Sequence, residues 1–270
     1  MVKNNSAFQR VALARDSKRP SVTDYIDKLF TDFYPLCGDR LHGEDKSLLG
    51  GLAFFHEMPV TVLGHRKGKT LEENLACNFG MPGPEGYRKA LRLMEQAEKF
   101  QRPLITFIDT PGAYPGIEAE QGGQGEAIAR CLYTMSSLTV PVISLVMGEG
   151  GSGGALALGV ANVILMLENA VYSVISPEGF ATILWHDVNK KAEAAEMMKL
   201  TAADLYKFGI ADEIIGEPPG GVSVDSQAVF DSVDWALAKA LFSLSVQKKT
   251  AIKEHRYAKY RKICALGGYE

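Results

Sequence analysis

Short apolar runs of strand length alternate along the chain with stretches of helical periodicity, and this alternation predicts an α/β fold. Two of the apolar runs, 104–108 and 142–146, lead directly into loops rich in glycine. The chain has 270 residues, 46% of them hydrophobic, so it can bury about 70–75% of the surface that its unfolded form exposes. We therefore expect one domain, residues 1–270, with short crossovers between its strands and helices.

The first half of the chain begins with a segment, 1–35, that is expected to be mainly helical, because apolar side chains recur at helical spacing. Pro84 suits the first turn of a later helix, since proline has no N–H group to leave unpaired there. The elements predicted here are the helix 22–34, the paired strands 48–55 and 59–63, the helix 84–100, the strand 104–108 and the helix 126–135.

The second half continues the alternation. A helix is expected to open at Ser176 and Pro177, and Thr201 with Asp204 resembles a capping box. The segment 222–270 is expected to be helical, with a basic tail over 248–261. The remaining predicted elements are the strand 142–146, the helix 152–160, the strand 163–167 with an extension through 171–175, a helix closed by Gly209 and the long helix 227–244.

Composition excludes several classes of protein. Lys and Arg total 29 against 32 for Asp and Glu, so binding of duplex nucleic acid by phosphate neutralisation is not indicated. The four cysteines are scattered and form no C-x-x-C pair, which argues against a zinc ribbon and favours a reducing compartment. No signal-like or membrane-spanning apolar stretch stands out, so we expect a cytoplasmic protein that does not enter a membrane.

The segment Gly148–Gly154 is the most informative part of the sequence, because five of its seven residues are glycine and it lies between a strand and a helix. Glycine lets the backbone approach a ligand closely, and the first turn of a helix has N–H groups without an intrahelical acceptor. Such a corner can bind an anion or a developing oxyanion. A second glycine-containing loop, 107–116, also follows an apolar run, so we expect backbone amides of two loops to face one site.

Two other interpretations compete with this one. Residues 150–154 fit G-x-S-x-G, so Ser152 could be the nucleophile of a hydrolase, although only His186 and His255 follow it; the alternative is a structural Ser152 that caps the helix. Residues 64–70 resemble a phosphate-binding loop and Asp109 begins a D-x-x-G sequence, as in GTPases. However, three residues instead of four precede Gly-Lys-Thr, and a solvated basic loop explains the segment equally well.

Several long motifs occur together and in order. The chain resembles the alpha subunits of acetyl-coenzyme A carboxylase carboxyltransferase from about Phe8 to its end. It departs from the usual pattern at 71–77, Gly122 and His186, which affects peripheral charges. The motifs that carry the resemblance are 78–82, 84–90, 109–116, 148–157 and 173–179.

The resemblance implies a crotonase-like fold of repeated ββα units and the first committed step of fatty acid biosynthesis. A carboxyl group would pass from carboxybiotin on a carrier protein to acetyl-CoA, forming malonyl-CoA. The alpha subunit would handle biotin and a beta subunit the thioester, in an α2β2 assembly. ATP would be used only by a separate biotin carboxylase, and any zinc would belong to the beta subunit. A non-catalytic scaffold of the same fold is the remaining alternative.

The resemblance also implies roles for single residues. The amides of Gly153 and Gly154 would form the oxyanion hole for the ureido oxygen, where one such donor contributes about 2.7–4 kcal/mol to the transition state. The proton acceptor would be the biotin nitrogen, so no side-chain base and no metal are assigned to this chain. A Gly154→Val change is expected to place a side chain in the biotin pocket. The residues expected to line that pocket are Gly112, Ala113, Gly150, Gly151 and Ala155.

Overall fold

The computed structural model describes residues 5–266, with side chains through residue 263. In this part of the chain, helices surround one mixed sheet. The strands are β1 Thr31–Pro35, β2 Leu48–Phe55, β3 Met58–His65, β4 Leu104–Thr110, β5 Val142–Gly151, β6 Val163–Leu167, β7 Val171–Ser173 and β8 Glu213–Ile215. The α-helices are α1 Ala7–Ala14, α2 Val22–Leu29, α3 Leu71–Ala76, α4 Pro84–Phe100, α5 Ile117–Gln121, α6 Gln124–Ser137, α7 Ser152–Leu156, α8 Pro177–Trp185, α9 Lys191–Met198, α10 Ala202–Lys207, α11 Ser226–Ser245 and α12 Lys249–Leu266.

The strand order is β1-β2-β3-β4-β5-β6-β8, and β7 pairs with the far end of β5. The first three strands are antiparallel, whereas β3, β4, β5, β6 and β8 run parallel. His56 and Glu57, with φ of 44° and 64°, form the two-residue turn between β2 and β3. Because parallel strands end at the same edge of a sheet, the segments that follow β3, β4 and β5 meet there.

The core lies on both faces of the sheet. Helices α4 and α6 pack together on one face, and α2 with α11 covers the other. Between α2, α11 and the sheet, Tyr25 contacts the ring of Phe230 edge-on at 4.9 Å and that of Phe107 at 5.7 Å. Such aromatic contacts add to the burial of apolar surface. No helix of residues 5–266 has the length and apolar character needed to cross a bilayer.

Several predicted elements were wrong in extent, and the extension predicted over 171–175 is instead the separate strand β7, which pairs with β5. The helix predicted over 22–34 ends at Leu29, and residues 31–35 form β1 instead, because they pair with β2 and Phe33 packs against Gly51. The helix predicted over 152–160 ends at Leu156. In turn, β5 continues through most of the glycine segment, because Glu149, Gly150 and Gly151 pair with β7. The corner therefore lies at Ser152.

The basic carboxy-terminal helix α12 is anchored by a buried arginine. The guanidinium of Arg256 donates to the carbonyls of Met135, Leu138 and Val140 at 2.8–3.2 Å and to Asn162 Oδ1 at 2.7 Å. Burial lowers the pKa of Arg256 to about 10, so the group stays charged at neutral pH. The basic tail is thus not wholly a solvated surface.

Replacing Arg256 by Met should destabilise the protein, because three buried carbonyls would lose the guanidinium donor and Asn162 Oδ1 would keep only the N–H of Val142. We expect a loss on the order of 3 kcal/mol in the free energy of unfolding, measured by urea denaturation and circular dichroism. Lys253→Met, at an exposed position of the same helix, is the control and should change stability by less than about 0.5 kcal/mol. Equal stability of the two variants would contradict the anchoring role.

Candidate active site

The two glycine-containing loops meet at the carboxyl edge of the parallel strands. Thr110 of β4 lies beside Gly150 of β5 in the sheet. A Cβ added to Gly151 would lie 2.1 Å from the carbonyl oxygen of Pro111, and one added to Gly154 would lie 2.5 Å from the amide nitrogen of Ala113. Only glycine permits contacts this close, so the packing of the loops 110–113 and 151–154 backbone against backbone requires glycine at positions 151 and 154.

Both loops contain backbone amides that have no hydrogen-bond partner in residues 5–266. Gly153 and Gly154 are the second and third residues of α7, and within residues 5–266 neither N–H donates to a backbone or side-chain acceptor. The N–H of Ala113 is also unpartnered there, whereas Gly112 donates to Thr110 Oγ1 at 3.1 Å and Tyr114 to the Pro82 carbonyl at 2.9 Å. Donors from the start of a helix and a facing loop are the elements of an anion or oxyanion site.

A cavity of about 350 Å³ opens beside Gly153, whereas Gly154 and Ala113 are not among its lining residues. Its lining is largely apolar, and Ser152, Gly153 and Leu156 form one wall. The opposite wall consists of Tyr172, Val174, Leu205, Ile210, Tyr260 and Ile263. The glycine corner therefore combines backbone donors with space for an apolar ring or chain next to them.

The glycines of the corner differ in the atoms that an added side chain would contact. A Cβ on Gly154 would also lie 2.8 Å from Tyr87 Oη, so the expectation that Gly154→Val fills the cofactor pocket is wrong; the side chain would collide with the protein interior. Gly150 likewise faces the ring of Tyr172. Gly112, with φ of 151°, has nothing within 4 Å of an added Cβ. Ala155 is buried in the first turn of α7.

The structure does not assemble a hydrolase around Ser152. The side chain is exposed, φ is 52°, and its hydroxyl has no hydrogen bond with a histidine in the described residues. His186 lies at the end of α8, and His255 lies beside Asn162. The expected capping role is also wrong, because Gly151 occupies the N-cap position and no side chain caps α7.

A chain of ion pairs lies directly below the two loops. Lys67 Nζ is 2.7 Å from Asp109 Oδ1 and 3.3 Å from Glu149 Oε2. Arg15 in turn lies 2.6 Å from Glu149 and 2.9 Å from Glu178. Burial lowers the pKa of Lys67, but the carboxylates of Asp109 and Glu149 outweigh it and raise that pKa above its ordinary value. Lys67 is therefore a fixed cation, and Asp109 pairs with a lysine where a GTPase would hold a metal.

His65 is a strand residue, not part of a solvated basic loop. It is fully buried at the end of β3. Burial lowers its pKa to about 4, against the opposing effects of the Asp109 carboxylate and the Gly154 carbonyl. The ring is neutral at pH 7 and lies within the protein, so it is not a base that faces the cavity.

The other motifs pack around the same loops. Gly80, with φ of 78°, leaves room for Lys67, whose Cγ would be 2.8 Å from an added Cβ. The carbonyl of Pro82 accepts hydrogen bonds from Tyr114 N–H and from Gln124 Nε2. Glu178 follows the N-cap Ser176 of α8 and pairs with Arg15. Segments far apart in sequence therefore support one corner.

Arg15, Lys67 and Tyr87 also belong to this site, although no motif of the sequence placed them there. The signal for Lys67 was present, because Lys67 follows β3, Asp109 lies near the end of β4 and Glu149 lies in β5. Two carboxylates at neighbouring strand ends require a cation between them. In residues 5–266, no cluster of three or more His, Cys, Asp or Glu side chains could hold a metal ion.

Comparison with solved structures establishes the fold. The transcarboxylase 12S core with methylmalonyl-coenzyme A bound superposes with a TM-score of 0.71 at 21% identity, over 92% of this chain and 46% of that chain, so this chain spans about half its length. A chain of the Pseudomonas malonate decarboxylase hetero-tetramer in complex with coenzyme A gives a TM-score of 0.66 at 19% identity, over 83% and 92% of the two chains. The fold is the crotonase-like fold of such enzymes.

Comparison of sequences gives the family. A family model described as acetyl co-enzyme A carboxylase carboxyltransferase-like matches residues 1–264. The acetyl-coenzyme A carboxylase carboxyl transferase alpha subunits of Bacillus cytotoxicus and Shouchella clausii are each 56% identical over 260 residues, covering 96% of this chain and 80% of theirs. The order of motifs, the fold and this similarity lead to the same conclusion: the chain belongs to the acetyl-coenzyme A carboxylase carboxyltransferase alpha-subunit family.

Proposed function

We propose that this chain is the alpha subunit of an acetyl-CoA carboxylase carboxyltransferase, which moves a carboxyl group from carboxybiotin on a carrier protein to acetyl-CoA and forms malonyl-CoA. Family membership supports the reaction. The observation that carries the assignment of the site is the unpartnered amide of Gly153 at the wall of an open cavity, with the unpartnered amide of Gly154 next to it in the chain.

Gly153 and Gly154 would act by hydrogen bonding to an oxygen on which negative charge develops. Each donor contributes about 2.7–4 kcal/mol when it is already oriented before the reaction. The first turn of α7 fixes their direction, and the packing of Gly151 against Pro111 fixes the helix start. When bound, carboxybiotin supplies the carboxyl group and the oxygen that these amides would meet.

The pocket-lining roles remain part of the proposal. Gly112 and Ala113 would line the pocket, since Gly112 faces open space and Ala113 has an unpartnered N–H. Ala155 is the next amide along α7. Gly150 and Gly151 would support the same site without a side chain of their own, because they let β7 and the loop after β4 approach β5 closely.

The proposal needs no side-chain base on this chain. The carboxylates nearest to the corner, Asp109, Glu149 and Glu178, are all held by Lys67 or Arg15, and burial keeps His65 neutral. Negative charges already bound to cations are poor proton acceptors. This arrangement supports a biotin nitrogen as the group that takes the proton from the acetyl methyl.

A beta subunit would complete the site. Large apolar side chains are exposed next to the cavity and along α8, among them Val174 at 84% and Ile183 at 70% exposure. Exposed apolar surface of this kind marks a protein interface. We infer that two copies of this chain, each a single domain of residues 1–270, assemble with two beta subunits in the cytoplasm. A biotin carboxyl carrier protein and an ATP-using biotin carboxylase would serve this α2β2 assembly.

The complex of this chain with a beta subunit should convert malonyl-CoA and free biotin in the reverse direction, and neither subunit alone should do so. Formation of acetyl-CoA measured by chromatography gives the rate. A stable complex with a beta subunit of proven activity that shows no turnover would contradict the proposed function.

Replacing Gly153 by Pro should lower kcat by about 10²–10³-fold, because it removes one donor at a position of the first helical turn where proline breaks no intrahelical bond. Gly153→Ala is the control: it keeps the N–H, and its Cβ would be 3.7 Å from Ile128 Cγ2, an ordinary contact. Steady-state rates of variants with matched thermal midpoints measure the effect. Equal losses in both variants would assign it to side-chain bulk and not to the amide.

A further inference from the structure

The ion cluster formed by Arg15, Lys67, Asp109, Glu149 and Glu178 is not used in the chemistry proposed above. Its members come from α1, the loop after β3, β4, β5 and the start of α8. Lys67 is the one member that contacts both Asp109 and Glu149. Its side chain is 24% exposed and that of Asp109 is 9% exposed, so solvent screens this contact only weakly.

The Asp109 carboxylate is packed onto the backbone of the glycine segment. Its Oδ1 accepts the N–H of Glu149 at 2.9 Å and the ammonium of Lys67 at 2.7 Å. A Cβ on Gly148 would lie 2.3 Å from the same oxygen, so glycine is required there. Any movement of this carboxylate would therefore be transmitted to β5.

Each carboxylate that Lys67 binds precedes an unpartnered amide by four residues. Asp109 is followed by Ala113 in one loop, and Glu149 is followed by Gly153 in the other. The ammonium between them thus links the start of both loops, a few residues before the backbone contacts of Gly151 with Pro111 and of Gly154 with Ala113. Arg15 cannot take over this role, because it binds Glu149 and Glu178 but not Asp109.

We propose that Lys67 is a positioning residue for carboxyl transfer, whose ammonium holds the loop of Ala113 and the loop of Gly153 and Gly154 at the separation that an oxyanion requires. This inference rests on the proposed function. Without the cation, Asp109 and Glu149 are like charges in a weakly screened setting and repel each other. The two carboxylates then move apart, and because Asp109 Oδ1 accepts the N–H of Glu149, this movement shifts β5 and the amides that follow it.

The test compares Lys67→Met with Lys69→Met in the complex with the beta subunit. Lys69 lies in the same loop but is exposed and pairs with Asp24. A displacement of catalytic groups by about 1 Å can cost about 10²-fold in rate, so Lys67→Met should lose about 10²-fold in kcat with little change in KM for malonyl-CoA. Lys69→Met should keep the kcat and KM of the wild type.

The double variant Lys67→Met/Glu149→Gln separates charge from shape. It removes the cation together with one anion, so the repulsion disappears and kcat should recover at least tenfold relative to Lys67→Met. If Lys67→Met does not fold, the test rests on whether the double variant folds. A folded double variant supports the electrostatic role of Lys67. A double variant that is unfolded, or no faster than Lys67→Met, overturns it.

An amide readout distinguishes the failure of this inference from failure of the proposed function. In protein labelled with ¹⁵N-glycine, Lys67→Met should shift the signals of Gly153 and Gly154, and Lys69→Met should not. An inactive wild-type complex refutes the proposed function, while these signals still report on Lys67. An active wild type with Lys67→Met as fast as Lys69→Met, and with unshifted signals, overturns the positioning role alone.

Discussion

The packing of one backbone directly on another, where Gly151 meets Pro111 and Gly154 meets Ala113, is the constraint on which the site depends. No residue with a Cβ fits at either position, so the sequence can place two sets of amide donors beside each other only through glycine. The parallel register of β4 and β5 brings the loops to one edge. The long β5 and the very short α7 then bring Gly153 to the wall of the cavity.

Charge is arranged below this contact and not at its surface. Asp109 and Glu149 are bound by Lys67 and Arg15, so in the proposed function the groups that would meet the ligand are neutral N–H groups. Amides that are already oriented in a site poor in water stabilise a developing anion without rearrangement. The same logic explains the exposed apolar side chains around the cavity: the wall that excludes water would be completed by a partner subunit.

The sequence predicted the α/β fold, most of the strands and the start of α8 at Ser176, because periodicity and capping are local signals. Residues 31–35 could not be recognised as a strand, since pairing with β2 is a tertiary effect that overrides helical spacing. The sequence predicts a strand-to-helix corner over the whole glycine segment. Its first residues instead extend β5, because glycine also permits close packing between strands. The direction of the missing Cβ at Gly154 and the burial of Lys67 depend on contacts that no short-range pattern encodes.

The most direct measurement of the central claim is the structure of the complex with a beta subunit and bound biotin. The account predicts that the ureido oxygen lies about 2.7–3.1 Å from the amide nitrogen of Gly153 or Gly154. A ureido oxygen bound elsewhere, with both amides left without a ligand acceptor, would contradict it.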